Sequence, residues 1–93
     1  MSMHTPGGWS HFDFTLTPEA KHVFENATAG LWGVKYAPFA FTAQTVAGTN
    51  YSFLCEAISA TRPLATNVVK MRTFQPLDLK ELPIIISIET IRP

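Results

Sequence analysis

Cysteine is nearly absent from this chain, net charge is absent altogether, and no apolar run is long enough to cross a bilayer. The one cysteine, Cys55, cannot close an internal disulfide, which fits a reducing compartment and leaves stability to the core. Seven basic residues balance seven acidic ones and are scattered singly, so the electrostatic footprint that nucleic acid or an anionic membrane requires is missing. Neither is expected as a partner. A membrane-spanning helix needs roughly 20 consecutive apolar residues, and no stretch approaches this. Met1-Ser2-Met3-His4-Thr5-Pro6 lacks a basic segment followed by an apolar core, so the expected location is cytoplasmic.

The chemistry of catalysis is equally thin. His4, His11 and His22 show no ligand spacing, and no second cysteine joins them, so no metal or cofactor is expected. Asp13, Glu19, Glu25, Glu56, Asp78, Glu81 and Glu89 are separated by helix or strand phase and form no acid–base pair. Cys55 with His11 or His22 would make a thiol–imidazole pair only if the thiol were accessible. It shares an apolar phase with Tyr51, Phe53 and Ala57, which places it in the core. The chain does not read as an enzyme.

What is present is a single small domain. Ninety-three residues with 46% hydrophobic content suffice to bury roughly 60–65% of the unfolded surface without staples. The domain is expected to span residues 1–93, with 1–8 a flexible N-terminal segment. Phe12, Phe14 and Leu16 alternate with polar neighbours and predict a first strand. Thr17 then supplies an N-cap oxygen, Pro18 occupies a position where a missing N–H costs nothing, and Glu19 suits the positive end of the helix dipole. Ala20, Val23, Phe24, Ala27 and Leu31 recur at helical spacing, and Gly33 is the expected stop.

Four strands are predicted after the helix. Val34 and Tyr36 begin one, Pro38 breaks its alternation, and the apolar phase resumes out of step at Phe39 and Phe41, which calls for a bulge near Ala37-Pro38. A hairpin tip lies before Asn50, where Gly48 takes positive φ without a Cβ clash. The next strand runs from about Asn50 to Ser59, and Thr61-Arg62-Pro63 makes a turn. Another covers about Ala65 to Phe74, with Val69 and Met71 on one face and Lys70 and Arg72 on the other. A second hairpin loop spans Gln75 to Pro83, and the last strand is Ile84 to Ile91. Short connections imply antiparallel pairing with one helix on one face, an α+β fold in the order β-α-β-β-β-β.

Taken by itself, the first hairpin is an ordinary turn whose glycine serves geometry. Its residues Gln44-Thr45-Val46-Ala47-Gly48-Thr49-Asn50-Tyr51 nevertheless resemble the Q-x-V-x-G-T-N-Y signature of the cystatin and stefin inhibitors. Met71-Arg72-Thr73-Phe74-Gln75-Pro76-Leu77 is similar to the stefin segment that enters the second hairpin. The resemblance spans about residues 7 to 91 in outline and is sequence-level around the two hairpins only. It implies a cystatin-like fold, one helix on a curved antiparallel sheet.

It also implies a function. Family members inhibit papain-like cysteine proteases reversibly, by a wedge of an N-terminal glycine segment and two hairpin loops that enters the substrate cleft. Carried onto this chain, the wedge is Gly7 and Gly8, then Gln44, Thr45, Val46, Ala47 and Gly48, then Gln75, Pro76 and Leu77. The sequence departs from the family in three places: Trp9 and the predicted first strand follow the glycines directly, the second loop lacks the Pro-Trp pair of secreted cystatins, and the long C-terminal extension of stefins is missing. The alternative is a non-inhibitory interaction module that binds another protein or its own copy, as a monomer or a weak, domain-swapped dimer. Ile84-Ile85-Ile86 and Val46 to Thr49 are the candidate contacts for self-association.

Overall fold

The N-cap predicted at Thr17 opens the helix. In the computed structural model, which describes residues 11–59 and 66–91, Thr17 is extended and its Oγ1 accepts from the Ala20 N–H at 3.1 Å. Pro18 and Glu19 occupy the first turn of α1, Pro18–Thr28. The helix buries Ala20, Val23 and Phe24, the first part of the predicted stripe. It ends earlier than Gly33, however. Thr28 Oγ1 donates back to Phe24 O at 2.8 Å, the C-cap is Ala29, and Leu31 N–H donates to Thr28 O at 3.0 Å in a closing turn. The β-branched Thr28 and Gly30 two residues later support further helix poorly. Leu31 is therefore exposed, and Gly33 takes its positive φ of 86° in the link to the sheet.

Four antiparallel strands follow: β1 Val34–Val46, β2 Gly48–Ser59, β3 Thr66–Gln75 and β4 Ile84–Thr90. They lie in sequence order in one sheet, so every pairing is between chain neighbours. The expected bulge is present: Pro38 pairs with Cys55 and Ala40 with Leu54, leaving Phe39 extra. It shifts the apolar phase so that Tyr36 before it and Phe41 after it both pack on the core. A second bulge lies in β4, where Arg72 pairs with Ser87 and Thr73 with Ile85, leaving Ile86 extra.

The architecture is α+β, one helix on a four-stranded antiparallel sheet, but among the described residues the helix comes first. The strand expected at Phe12 to Leu16 is reduced to one bridge, with Asp13 N–H donating to Phe41 O at 2.8 Å and Phe41 N–H to Asp13 O at 2.9 Å. Asp13 Oδ1 accepts from the Thr15 N–H at 2.9 Å, a side-chain turn that takes the chain off the ladder. Phe14 is accordingly 70% exposed. The segment 1–8 and the Thr61-Arg62-Pro63 turn lie outside the described residues.

The core is the layer between α1 and the odd-numbered face of β2 and β3. Phe53, Cys55 and Met71 are fully buried there with Val23, Phe24 and Val69. Phe24 meets Phe53 edge-on at 5.1 Å, and Tyr51 stacks on Phe53 at 5.8 Å. Thr73 and Gln75 continue the same parity and are buried as well. No described helix is long and apolar enough to cross a membrane.

Candidate functional site at the hairpin end

The two loops singled out by the sequence share one end of the sheet. The β1–β2 ladder closes with Val46 opposite Gly48, leaving Ala47 at the tip, and Thr49 pairs with Gln75 of β3. The first hairpin and the start of the second loop are therefore adjacent. Gln44, Thr45, Val46 and Ala47 are exposed, Val46 by 47%. These four residues form the free tip.

Gly48 behaves differently from its neighbours. It has a φ of 117°, as a turn glycine should, yet it is buried. A Cβ placed on it would lie 2.6 Å from Gln75 O and 2.6 Å from Phe74 Cζ. The glycine thus meets both a positive φ and a close approach by the chain's own β3. Its small size is used inside the fold, behind the exposed tip.

Gln75 is also turned inward. It is 7% exposed, and its Nε2 donates to Glu81 O at 2.9 Å and to Pro76 O at 3.3 Å. Asp78 shapes the rest of the loop: its Oδ1 accepts from the Lys80 N–H at 2.9 Å, and its carbonyl accepts from the Glu81 N–H at 3.0 Å. The loop is thereby tied to the sheet at one side chain and folded on itself at another. Outward it exposes Asp78, Lys80 and Glu81 together with three leucines. Leu77, Leu79 and Leu82 are 77%, 82% and 70% exposed.

These leucines rim a groove of about 540 Å³ between the first half of α1 and the second loop, floored by Val23, Gly48 and Pro76. Leu79 and Leu82 have no counterpart in the site expected from sequence, where the segment is simply a turn. Three leucines within six positions of a connection are the signal that would have flagged them. The titratable members of the groove besides Tyr51 are Glu19, His22 and Glu81, and Asn26, Thr49 and Gln75 add uncharged polar groups. Tyr51 reaches the same groove, and its phenol is raised above its usual pKa, first by burial and then by the nearby Glu19.

Of the predicted wedge, Gly7 and Gly8 lie outside the described residues. The bridge between Asp13 and Phe41 is antiparallel. Phe12 lines a recess with Thr42, Ala43 and Gln44. Cys55 is fully buried, and burial pushes its thiol up to about 12, which leaves no thiolate for nucleophilic chemistry near neutral pH. Among the described residues, no three His, Cys, Asp or Glu side chains are grouped so as to hold a metal. The hairpin end can offer shape, apolar contact and a braced backbone. Compared with known proteins, the chain matches no family model, no curated protein and no solved structure.

Proposed function

We propose that this chain is a reversible inhibitor of papain-like cysteine proteases that occludes the substrate cleft with its hairpin end. One observation carries the reading: the exposed tip Gln44 to Ala47 and the exposed Leu77 belong to loops that leave paired strands at one end of the sheet. The resemblance of Gln44 to Tyr51 to the cystatin and stefin signature supplies the class of partner. A cleft-blocking inhibitor needs no nucleophile. It needs surfaces that lose little entropy on docking, and the tip is backed by Gly48 against Gln75 while the second loop is tied through the Gln75 amide. The one free thiol, Cys55, fits action in a reducing compartment such as the cytoplasm.

In this reading Val46 and Leu77 are the apolar anchors, Gln44, Thr45, Ala47 and Pro76 flank them, and Gly48 and Gln75 hold the two loops together from behind. The test is inhibition of papain on a small peptide substrate by excess purified chain. Val46→Asp, which places a charge on an exposed tip, should weaken inhibition by roughly tenfold or more, the scale of a lost interface anchor, with an unchanged unfolding transition. Full papain activity at saturating chain would end the proposal. The groove rimmed by Leu77, Leu79 and Leu82 favours a second reading, a non-inhibitory module that binds a protein or its own copy. Sedimentation over a wide concentration range tests self-association.

A further inference from the structure

The face of the sheet turned away from α1 is not a plain solvated surface. Register places Thr42, Ser52, Arg72 and Ser87 in one row across all four strands. Gln44 and Asn50 form the next row toward the hairpin, and Lys70 lies in the row beyond, opposite Glu89. An ordinary solvated sheet face is open, but here Phe12 stands on the β1 side and the bulged Ile86 on the β4 side. Between them is a recess of about 520 Å³ that Thr42, Gln44, Asn50, Ser52, Lys70 and Arg72 line. That size suits a small molecule.

The charges in the recess are arranged unevenly. Lys70 faces an acid across the ladder, whereas the cross-strand neighbours of Arg72 are Ser52 and Ser87. Ser87 Oγ is buried and, among the described residues, has no hydrogen-bond partner. A guanidinium between two serines has its planar set of donors available for a carboxylate or phosphate, which it matches in bidentate fashion. The hydroxyls of Thr42 and Ser52 and the amides of Gln44 and Asn50 both donate and accept, as the hydroxyls of a polyol require. Phe12 and Ile86 supply apolar walls for the carbon-bound face of a ring. Two cations and a balanced chain are too few to track a nucleic-acid backbone.

We infer that this recess binds a small anionic polyol, a sugar acid or a sugar phosphate, with Arg72 on the anionic group and Thr42, Gln44, Asn50 and Ser52 on the hydroxyls. The inference does not depend on the protease reading, although Gln44 belongs to both surfaces. Backbone amide NMR of the full chain, titrated with glucuronate, glucose 6-phosphate, glucose and inorganic phosphate, tests it. Saturable shifts at Thr42, Ser52 and Arg72 are expected with glucuronate or glucose 6-phosphate, and which of the two binds more tightly identifies the anionic group. Glucose should bind at least tenfold more weakly. Arg72→Gln should weaken binding of the anionic sugar by roughly 10- to 100-fold, the scale of charge-assisted hydrogen bonds, while amide shifts elsewhere remain those of a folded chain. No saturable shift with either anionic sugar, equal binding of glucose, inorganic phosphate binding as tightly as glucose 6-phosphate, or an unaltered Arg72→Gln response would each overturn the inference.

Discussion

Replacing Gly48 by alanine should damage the fold itself, and the size of the effect follows from two separate contacts. A side chain at a φ of 117° is in a region that L-residues rarely occupy, at a cost of about 1–3 kcal/mol. The added Cβ would also lie 2.6 Å from Gln75 O and 2.8 Å from Phe74 Cε1. The phenyl ring can rotate away, but the carbonyl belongs to the backbone of β3, so Thr49 and Gln75 must move apart. Because Gln75 also holds the second loop through Glu81 O, that movement spreads to both loops. We expect Gly48→Ala to destabilise by about 2–4 kcal/mol in total, in the range of strained-backbone and overpacking substitutions. For a domain of this size that lowers Tm by roughly 10–25 °C. Urea and thermal unfolding measure it, with Ala47→Gly at the exposed tip as the comparison. A Gly48→Ala loss below about 0.5 kcal/mol, the ordinary scale of a surface substitution, would refute the account of Gly48 as an internal spacer. It would also restore substitution at Gly48 as a clean probe of partner binding, a role that Val46→Asp fills here.

The remaining expectations concern the core, the helix and alkaline pH. Phe53→Ala should cost about 3–5 kcal/mol, because Phe53 is fully buried between Phe24 and Tyr51; a chain that unfolds at an unchanged urea midpoint would contradict the core assignment. Thr17→Ala should cost about 1 kcal/mol by removing the N-cap, read as a lower unfolding midpoint that Thr17→Ser largely avoids. The Cys55 thiol is held near 12 in the fold against 9.0 when free, so the folded state keeps a proton that the unfolded chain releases. Stability is then unaffected below about pH 9 and falls as pH rises from there toward 12. Cys55→Ala should remove that part of the decline relative to the parent, and a thiol reagent at pH 8 should label the native parent only on unfolding.

Much of this molecule is legible from its sequence, and each departure has its own physical reason. The helix start needed only Thr17, Pro18 and Glu19, all local. The bulge at Phe39 was visible because Pro38 broke an alternation that had to be restored. Gly33 reads as a helix stop, but the helix ends at Thr28, where β-branching and the nearby Gly30 disfavour another turn. The alternation at Phe12 to Leu16 predicts a strand but does not establish burial, and Phe14 points outward. The stefin-like segment assigns Gln75 to the second loop; its parity with Val69, Met71 and Thr73 is the available sign that it turns inward. The groove beside Leu79 and Leu82 depends on how α1 and the second loop meet, a tertiary relation that no local pattern encodes.

Among the described residues, both bulges lie in the outer strands of the sheet. Phe39 is the extra residue of β1, Ile86 that of β4, and the two central strands β2 and β3 pair without interruption. An outer strand offers unpaired N–H and C=O groups on which a foreign strand can grow, and a flat apolar one invites polymerisation. Here each border is irregular at a large apolar residue, and that of β1 is further occupied at Phe41 by Asp13. An incoming strand in regular register would lose alignment after a few residues at either border. The same extra residues that adjust the core therefore also cap the sheet's growth, which matters in a chain with no net charge to keep its copies apart.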